Sequence, residues 1–325
     1  MTGFRTRASA MTLALTSLPI ATDIQAQTYP ARPIRYIVSG SAGSGTDTLA
    51  RIIADRMGQL VNQQVIVENR PGGGSNIAGE FAAKSPPDGY TLYQSTITMA
   101  VNVSLYQNLP YDFVRDFAPV SRIGTAPNVI VVHPSLPAKS AGELIKLAKA
   151  KPGTIDYSSG GAGTNSFLAA ELFKGQSGVN LVHIAYKGGG PALLATITGE
   201  VSIHFAPATT AIPAMQQKRV RAIGVTSLKR LPLMPEVPTV DESGLRGYET
   251  GNWYGIVVPV KTSREIVNSL HQATVRTVTT PDVLKKLSDL GFVTIGDKPE
   301  EFAAFIKTEV ERLGKLVKEF NLKPE

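Results

Sequence analysis

The sequence predicts an α/β protein of two lobes joined by two crossing strands. Three observations carry this reading. Short apolar runs alternate with helical patterns, as βαβ units do. The alternation comes as two separate series. Each series holds a strand, a glycine-rich turn and a helix that opens on a hydroxyl or Asx residue. At 325 residues, 42% of them apolar, the chain has length for roughly two domains.

Residues 1–26 stand apart. Arg5 and Arg7 precede an apolar stretch from about Ala8 to Ala21, and Ala26 occupies a cleavage position, which reads as a secretory signal peptide. Ile24 is larger than the preferred small residue there, so an uncleaved anchor is the alternative. The stretch is shorter than the roughly 20 residues that span a bilayer, and no other segment is long and apolar enough to do so. A soluble, periplasmic mature protein is expected.

In the first series "IRYIVS" reads as strand, "DTLARIIADRMGQL" as helix, "QVIVEN" as strand, "SNIAGEFAAKS" as helix and "YTLYQST" as strand. Leu49, Ile52, Ile53, Met57 and Leu60 fall at helical spacing and give the first helix one core face. The second series runs helix "AGELIKLAKAK", strand "IDYSS", helix "NSFLAAELFKGQ", strand "LVHIAY", helix "PALLATITG", then strands "VSIHFA" and "VRAIGVTS". Parallel sheets are expected from both. "LKRLPLMPEVPTVDESG", with three prolines, reads as a long surface connection, followed by "YGIVVP" and three helical patterns. The extended segments "RIGTAPNVIVV" and "GYETGNWYGIVV" are the expected crossings. They divide the chain into one lobe of residues 27–126 with 250–325 and another of residues 127–249.

The glycine turns carry the chemistry. In "VSGSAGSGTDTLAR", Thr46 or Asp47 can cap the helix, and glycine lets the amides from Gly40 to Gly45 approach an anion at its positive end. Asp47 suits fixing the loop better than touching an anion, which its charge would repel. "YSSGGAGTNSFLAAELF" repeats the device with Gly160, Gly161 and Gly163 before Thr164. Two such cups at the carboxyl ends of their sheets would face each other across a cleft. A solute with two polar ends would bridge them.

Other chemistries fit less well. A phosphate-binding P-loop needs Lys and a hydroxyl after its last glycine, where Thr46 and Asp47 stand. Glu68 stands about twenty residues after the loop, where a dinucleotide fold places its ribose-binding acid, but "GSAGSG" has the wrong glycine order. There is no Gly-x-Ser-x-Gly elbow. No Cys is present, and His133, His183, His204 and His271 form no close ligand pair, so neither a metal nor a cofactor is expected. His183 and His204 lie inside apolar strands and read as core histidines. Asn69 and Arg70 are expected to bond the backbone of the "ENRPGGG" turn, and Lys187 is an exposed residue able to attract an anion. Trp253 and Tyr254 are expected to pack in the core. The +7 charge is spread over helices in which Glu309, Glu311 and Glu319 interleave with basic residues, a solvated pattern that points away from nucleic acid.

Seven motifs occur in order: "IVSGSAGSGTDTLAR", "VIVENRPGGGSNIAG", "DGYTLYQST", "YSSGGAGTNSFLAAELF", "YKGGGPALLATITGEV", "VRAIGVTSLKRLPLMPEVPTVDESG" and "WYGIVVP". Together they resemble the extracytoplasmic solute-binding proteins of tripartite tricarboxylate transporters, the Bug-type family, over nearly the whole mature chain. The resemblance implies a two-lobed periplasmic-binding-protein fold of the Venus-flytrap kind with two chain crossings. It implies a non-catalytic receptor that closes on a small organic acid, works as a monomer and delivers to membrane transporter subunits. The implied site is Ser39, Gly40, Ser41, Ala42, Gly43, Ser44, Gly45 and Asp47 of the first loop. Ser95, Thr96 and Ala206 join it, with Gly161, Ala162, Gly163, Thr164 and Asn165 of the second. Departures from the family pattern are Ser39 and Ser41 in place of a proline pair, Phe167 in place of His, and Ala195 and Ala206 in place of Asp. They lean the expected ligand towards an aromatic or otherwise apolar carboxylate. A sensory adaptor with the same pocket and an exported α/β enzyme are the rival readings.

Overall fold

The computed structural model describes Gly3 and residues 29–324, so the leader reading falls, Gly3 apart, outside the described residues. The first series forms β1 (Ile34–Val38), α1 (Gly45–Val61), β2 (Val65–Asn69), a 3₁₀ turn at Gly73–Ser75, α2 (Asn76–Ala83) and β3 (Thr91–Thr96). β1 lies between β2 and β3, parallel to both. Of the expected α1 face, Leu49, Ile53 and Met57 are buried, together with Ala50 and Ala54, whereas Ile52 and Leu60 are half-buried. The sequence does not announce α3 (Ile97–Leu105), which follows β3 without a loop. Its residues from Ile97 to Asn102 are all buried, so no polar face marks a helical period.

β4 (Phe117–Val132) has 16 residues and is about 50 Å long at the usual strand rise. The second series follows as α4 (Ala141–Ala150), β5 (Asp156–Ser159), α5 (Asn165–Ser177), β6 (Val182–Ala185), α6 (Gly189–Thr198), β7 (Ile203–Pro207), α7 (Ala208–Gln216) and β8 (Arg221–Val225). β5 lies between β6 and β7 and is parallel to both. α7 was also missed. It too starts directly from a strand, and Pro213 inside it masks the helical signal.

The chain returns through β9 (Gly251–Pro259), then α8 (Arg264–Thr279), α9 (Pro281–Ser288), β10 (Val293–Thr294) and α10 (Pro299–Glu319). β4 pairs with β9 from Phe117 to Pro127 and with β7 and β8 from there to Val132. One strand thereby belongs to two half-sheets, giving the order β2-β1-β3-β9-β4-β7-β5-β6. The sheets are mixed, not wholly parallel, because the crossing strands run antiparallel to their neighbours.

Residues 228–244 run along the surface, with Leu228, Leu233 and Pro235 exposed, but buried side chains pin them to it. Leu231, Met234, Val237 and Val240 recur every third residue and are buried, Met234 completely. Successive turns, Met234 N–H to Leu231 O and Val237 N–H to Met234 O, bring them onto one side. The prolines exclude helix and strand there without excluding burial. Trp253 and Tyr254 are core residues; the Trp253 Nε1 donates to Glu309 Oε2 at 3.0 Å, edge-on to Phe302 and Phe305.

Both crossings meet at Thr226. Its Oγ1 accepts from the Asn128 N–H of β4 at 2.8 Å and donates to Thr250 O at 2.6 Å, just before β9. Its own N–H donates to Asn128 O and its carbonyl accepts from Thr250 N–H.

Candidate functional site

The β1–α1 turn is held from below by Asp47, which is 4% exposed. Its carboxylate accepts from the Gly43 N–H (3.0 Å), Asn69 Nδ2 (2.9 Å) and Arg51 Nε (3.1 Å), and Asn69 Nδ2 also donates to Gly40 O (2.8 Å). Burial alone would raise the Asp47 pKa. The hydrogen bonds from Arg51, Gly43 and Asn69, with the Arg51 charge, outweigh it and hold the carboxyl below its ordinary value. The helix cap is neither Thr46 nor Asp47 but Ser44, whose Oγ accepts from Asp47 N–H at 3.3 Å. Arg70 does not bond the turn's backbone through its side chain; its guanidinium lies 3.6 Å from the Phe81 ring centroid, beside Glu68. Glu68 itself pairs with Arg35.

The second turn is tied internally. Thr164 Oγ1 donates to Gly161 O (2.6 Å), and the Gly161 and Gly160 N–H groups donate to Ser159 Oγ (3.0 Å) and Ser166 Oγ (3.2 Å). Asn165 Nδ2 donates to Asn128 Oδ1, joining α5 to β4. The lobes touch across the gap. Gly190 N–H donates to Ser41 Oγ at 3.3 Å, and Tyr106 OH to Ala162 O at 3.4 Å. A Cβ on Gly45 would come within 2.6 Å of Thr209 Oγ1, and one on Gly163, at φ +79°, would strike Asn102.

Between the turns lies a narrow cavity of about 70 Å³. Six helices begin at its wall: α1 at Ser44–Thr46, α2 at Ser75, α3 at Thr96, α5 at Thr164–Ser166, α6 at Gly188–Gly189 and α7 at Pro207. Of their N-caps only Ser44 makes a side-chain capping bond, so the first-turn amides of the other five lack that partner. Each helix start carries partial positive charge. No Lys, Arg, Asp or Glu lines the cavity.

Of the expected site residues, the structure brings Ser39, Gly40, Ser44, Gly45, Thr96, Thr164 and Asn165 to the wall. Ser41, Ala42, Gly43, Asp47, Ser95, Gly161, Ala162, Gly163 and Ala206 stand beside it without lining it. Ser95 Oγ donates to Gly255 O across the sheet, and Ala206 is wholly buried on β7. Sequence reasoning missed Thr98, Asn252, Thr210, the α6 start and His204 as wall residues. The glycines of "YKGGGP" were a signal for α6. Lys187 is exposed and off the wall. Phe167 does not line the cavity: it tilts against the His183 ring at 5.1 Å, and no Phe, Tyr or Trp is on the wall. Among the described residues no cluster of metal-binding side chains occurs.

The fold defines the class, a two-lobed receptor of the periplasmic-binding-protein type with two chain crossings. The chain belongs to the tripartite tricarboxylate transporter receptor family, whose model matches residues 49–322. Protein BugT of Bordetella pertussis is 32% identical over 306 residues, 94% of this chain and 94% of that protein. Among solved structures, R. palustris Rpa4515 with adipate aligns at a TM-score of 0.88 and 32% identity, covering 91% of this chain and 100% of that one. MatC of Rhodopseudomonas palustris with bound malate aligns at 0.84 and 28%, covering 89% and 100%. No helix among the described residues is long and apolar enough to cross a membrane.

Proposed function

We propose that the protein is a periplasmic, non-catalytic receptor that closes on a small carboxylate and presents it to the membrane subunits of a tripartite transporter. The observation that carries this is the convergence of six helix starts on one cavity without a charged side chain. Aligned backbone dipoles and first-turn N–H groups without a capping side chain stabilise an anion, and they do so without a counter-ion that would need desolvating. The adipate and malate in related structures support a carboxylate guest. The narrow, hydroxyl-lined space favours a short polar acid over an aromatic one. Residues 29–126 with 250–324 form one jaw and residues 127–249 the other, each supplying part of the wall. Ligand touching both stabilises the closed state, and that difference in affinity drives closure. Both jaws belong to one chain, so a monomer suffices.

An enzyme reading gains nothing from the hydroxyl that bonds the wall imidazole. Ser158 Oγ lies 3.0 Å from His204 Nδ1, but Ser158 is fully buried and its Oγ also bonds Ala192 O. Residues 1–26 would direct export.

The test is a thermal-denaturation screen of refolded, ligand-free protein with mono-, di- and tricarboxylates. A ligand at about 100 times its Kd adds roughly 2.7 kcal/mol of stability. Absence of a shift with every acid would overturn the proposal, as would turnover of any of them.

A further inference from the structure

The cavity wall contains an imidazole that the anion-binding scheme does not use. His204 on β7 is 1% exposed and lines the cavity. Its Nδ1 lies 2.9 Å from Ser158 O and 3.0 Å from Ser158 Oγ. A carbonyl oxygen only accepts, so the proton of the neutral ring sits on Nδ1 and Nε2 carries a bare lone pair. Loss of hydration on burial pushes the His204 pKa down to about 4, which keeps the ring neutral at neutral pH. With Nδ1 turned to Ser158, Nε2 is the polar atom left to face the cavity. It has no hydrogen-bond partner among the described residues.

The guest therefore meets a lone pair within a wall of amide and hydroxyl donors. An ionised carboxylate oxygen against that lone pair is repulsive, and an apolar group leaves it unsatisfied. A hydrogen-bond donor on the guest resolves both. An ammonium group would bring a positive charge into a site with no acidic side chain and six positive helix ends, whereas a hydroxyl brings no charge.

Resting on the carboxylate reading above, we propose that His204 is a specificity-determining residue that accepts a hydrogen bond from a guest hydroxyl, making the ligand class a hydroxycarboxylate.

The test is calorimetric titration of ligand-free protein with matched pairs: malate and succinate, lactate and propionate, citrate and tricarballylate, with aspartate as the ammonium arm. The hydroxy acid of the binding pair is expected to bind roughly tenfold or more tightly than its deoxy partner, and more tightly than aspartate. In His204→Phe that ratio is expected to collapse to within about threefold, and His204→Gln, which keeps an acceptor, to recover part of it. If His204→Phe fails to fold, ¹⁵N NMR of the wild-type imidazole decides. The Nε2 resonance must move on adding the hydroxy acid and stay on adding the deoxy acid. Equal affinities within the pairs, tighter aspartate binding, an unchanged ratio in His204→Phe or an unmoved Nε2 resonance overturns the inference while the carboxylate reading stands. Failure of the wild type to bind any carboxylate removes that reading and this one with it.

Discussion

Asp47 shows how a charge can shape an anion site without entering it. Its oxygens are spent on Gly43, Asn69 and Arg51, so the first turn holds its form before any guest arrives. Asp47→Ala leaves those donors unpaired in a buried place. It should cost about 1–3 kcal/mol in urea denaturation and weaken ligand binding as well. His204 gives a separate acid signature. Its folded pKa of about 4 lies below the ordinary histidine value, so the unfolded chain takes up the proton first. Stability from this group is complete above about pH 6.5 and declines as pH falls towards 4, by up to about 3 kcal/mol. Asp47, also depressed, adds its loss only below the ordinary carboxylate range. Denaturation of the wild type and His204→Phe at pH 7 and pH 4.5 should differ in slope; parallel curves would show that the ring is not buried neutral.

Helix starts are the elements that matter, and the sequence disclosed them unevenly. α1 and α5 were legible because a glycine run and then a hydroxyl precede each one. α3 and α7 leave their strands directly from Thr96 and Pro207, with no loop to announce a turn. His204 was legible as buried, but alternation along a strand does not say which edge of a ring faces a cavity. The α/β series, the two crossings and the receptor family were readable because periodicity and motif order survive in one dimension. The wall was not, because it is assembled from seven places in the chain. At this scale Gly45→Val is informative. The added side chain meets Thr209 and Pro207 across the gap, wedging α1 from α7. Ligand-induced compaction in small-angle scattering should vanish while the melting temperature of the free protein stays near that of the wild type, since position 45 has an ordinary helical backbone.

Across the whole molecule the two half-sheets share β4, and the returning chain enters β9 beside it. Thr226 ties both passages together, binding Asn128 on one and Thr250 on the other. Thr226→Val keeps the shape and removes both side-chain bonds, stranding the Asn128 N–H. The expected cost is about 1–3 kcal/mol in denaturant, with a shifted open–closed balance readable by distance measurement between labels on the lobes. No change in either quantity would mean that the passages are coupled elsewhere.

The uncharged wall has a consequence for unloading. In the proposed reading, a guest held by fixed dipoles from both halves is not released by proton uptake on the wall near neutrality, since no Lys, Arg, Asp or Glu lines the cavity. What it does not resist is leverage: a membrane partner that pries the halves apart strips away a share of the donors in one motion. Cargo would then leave downhill, and the emptied clamp would be ready for another cycle.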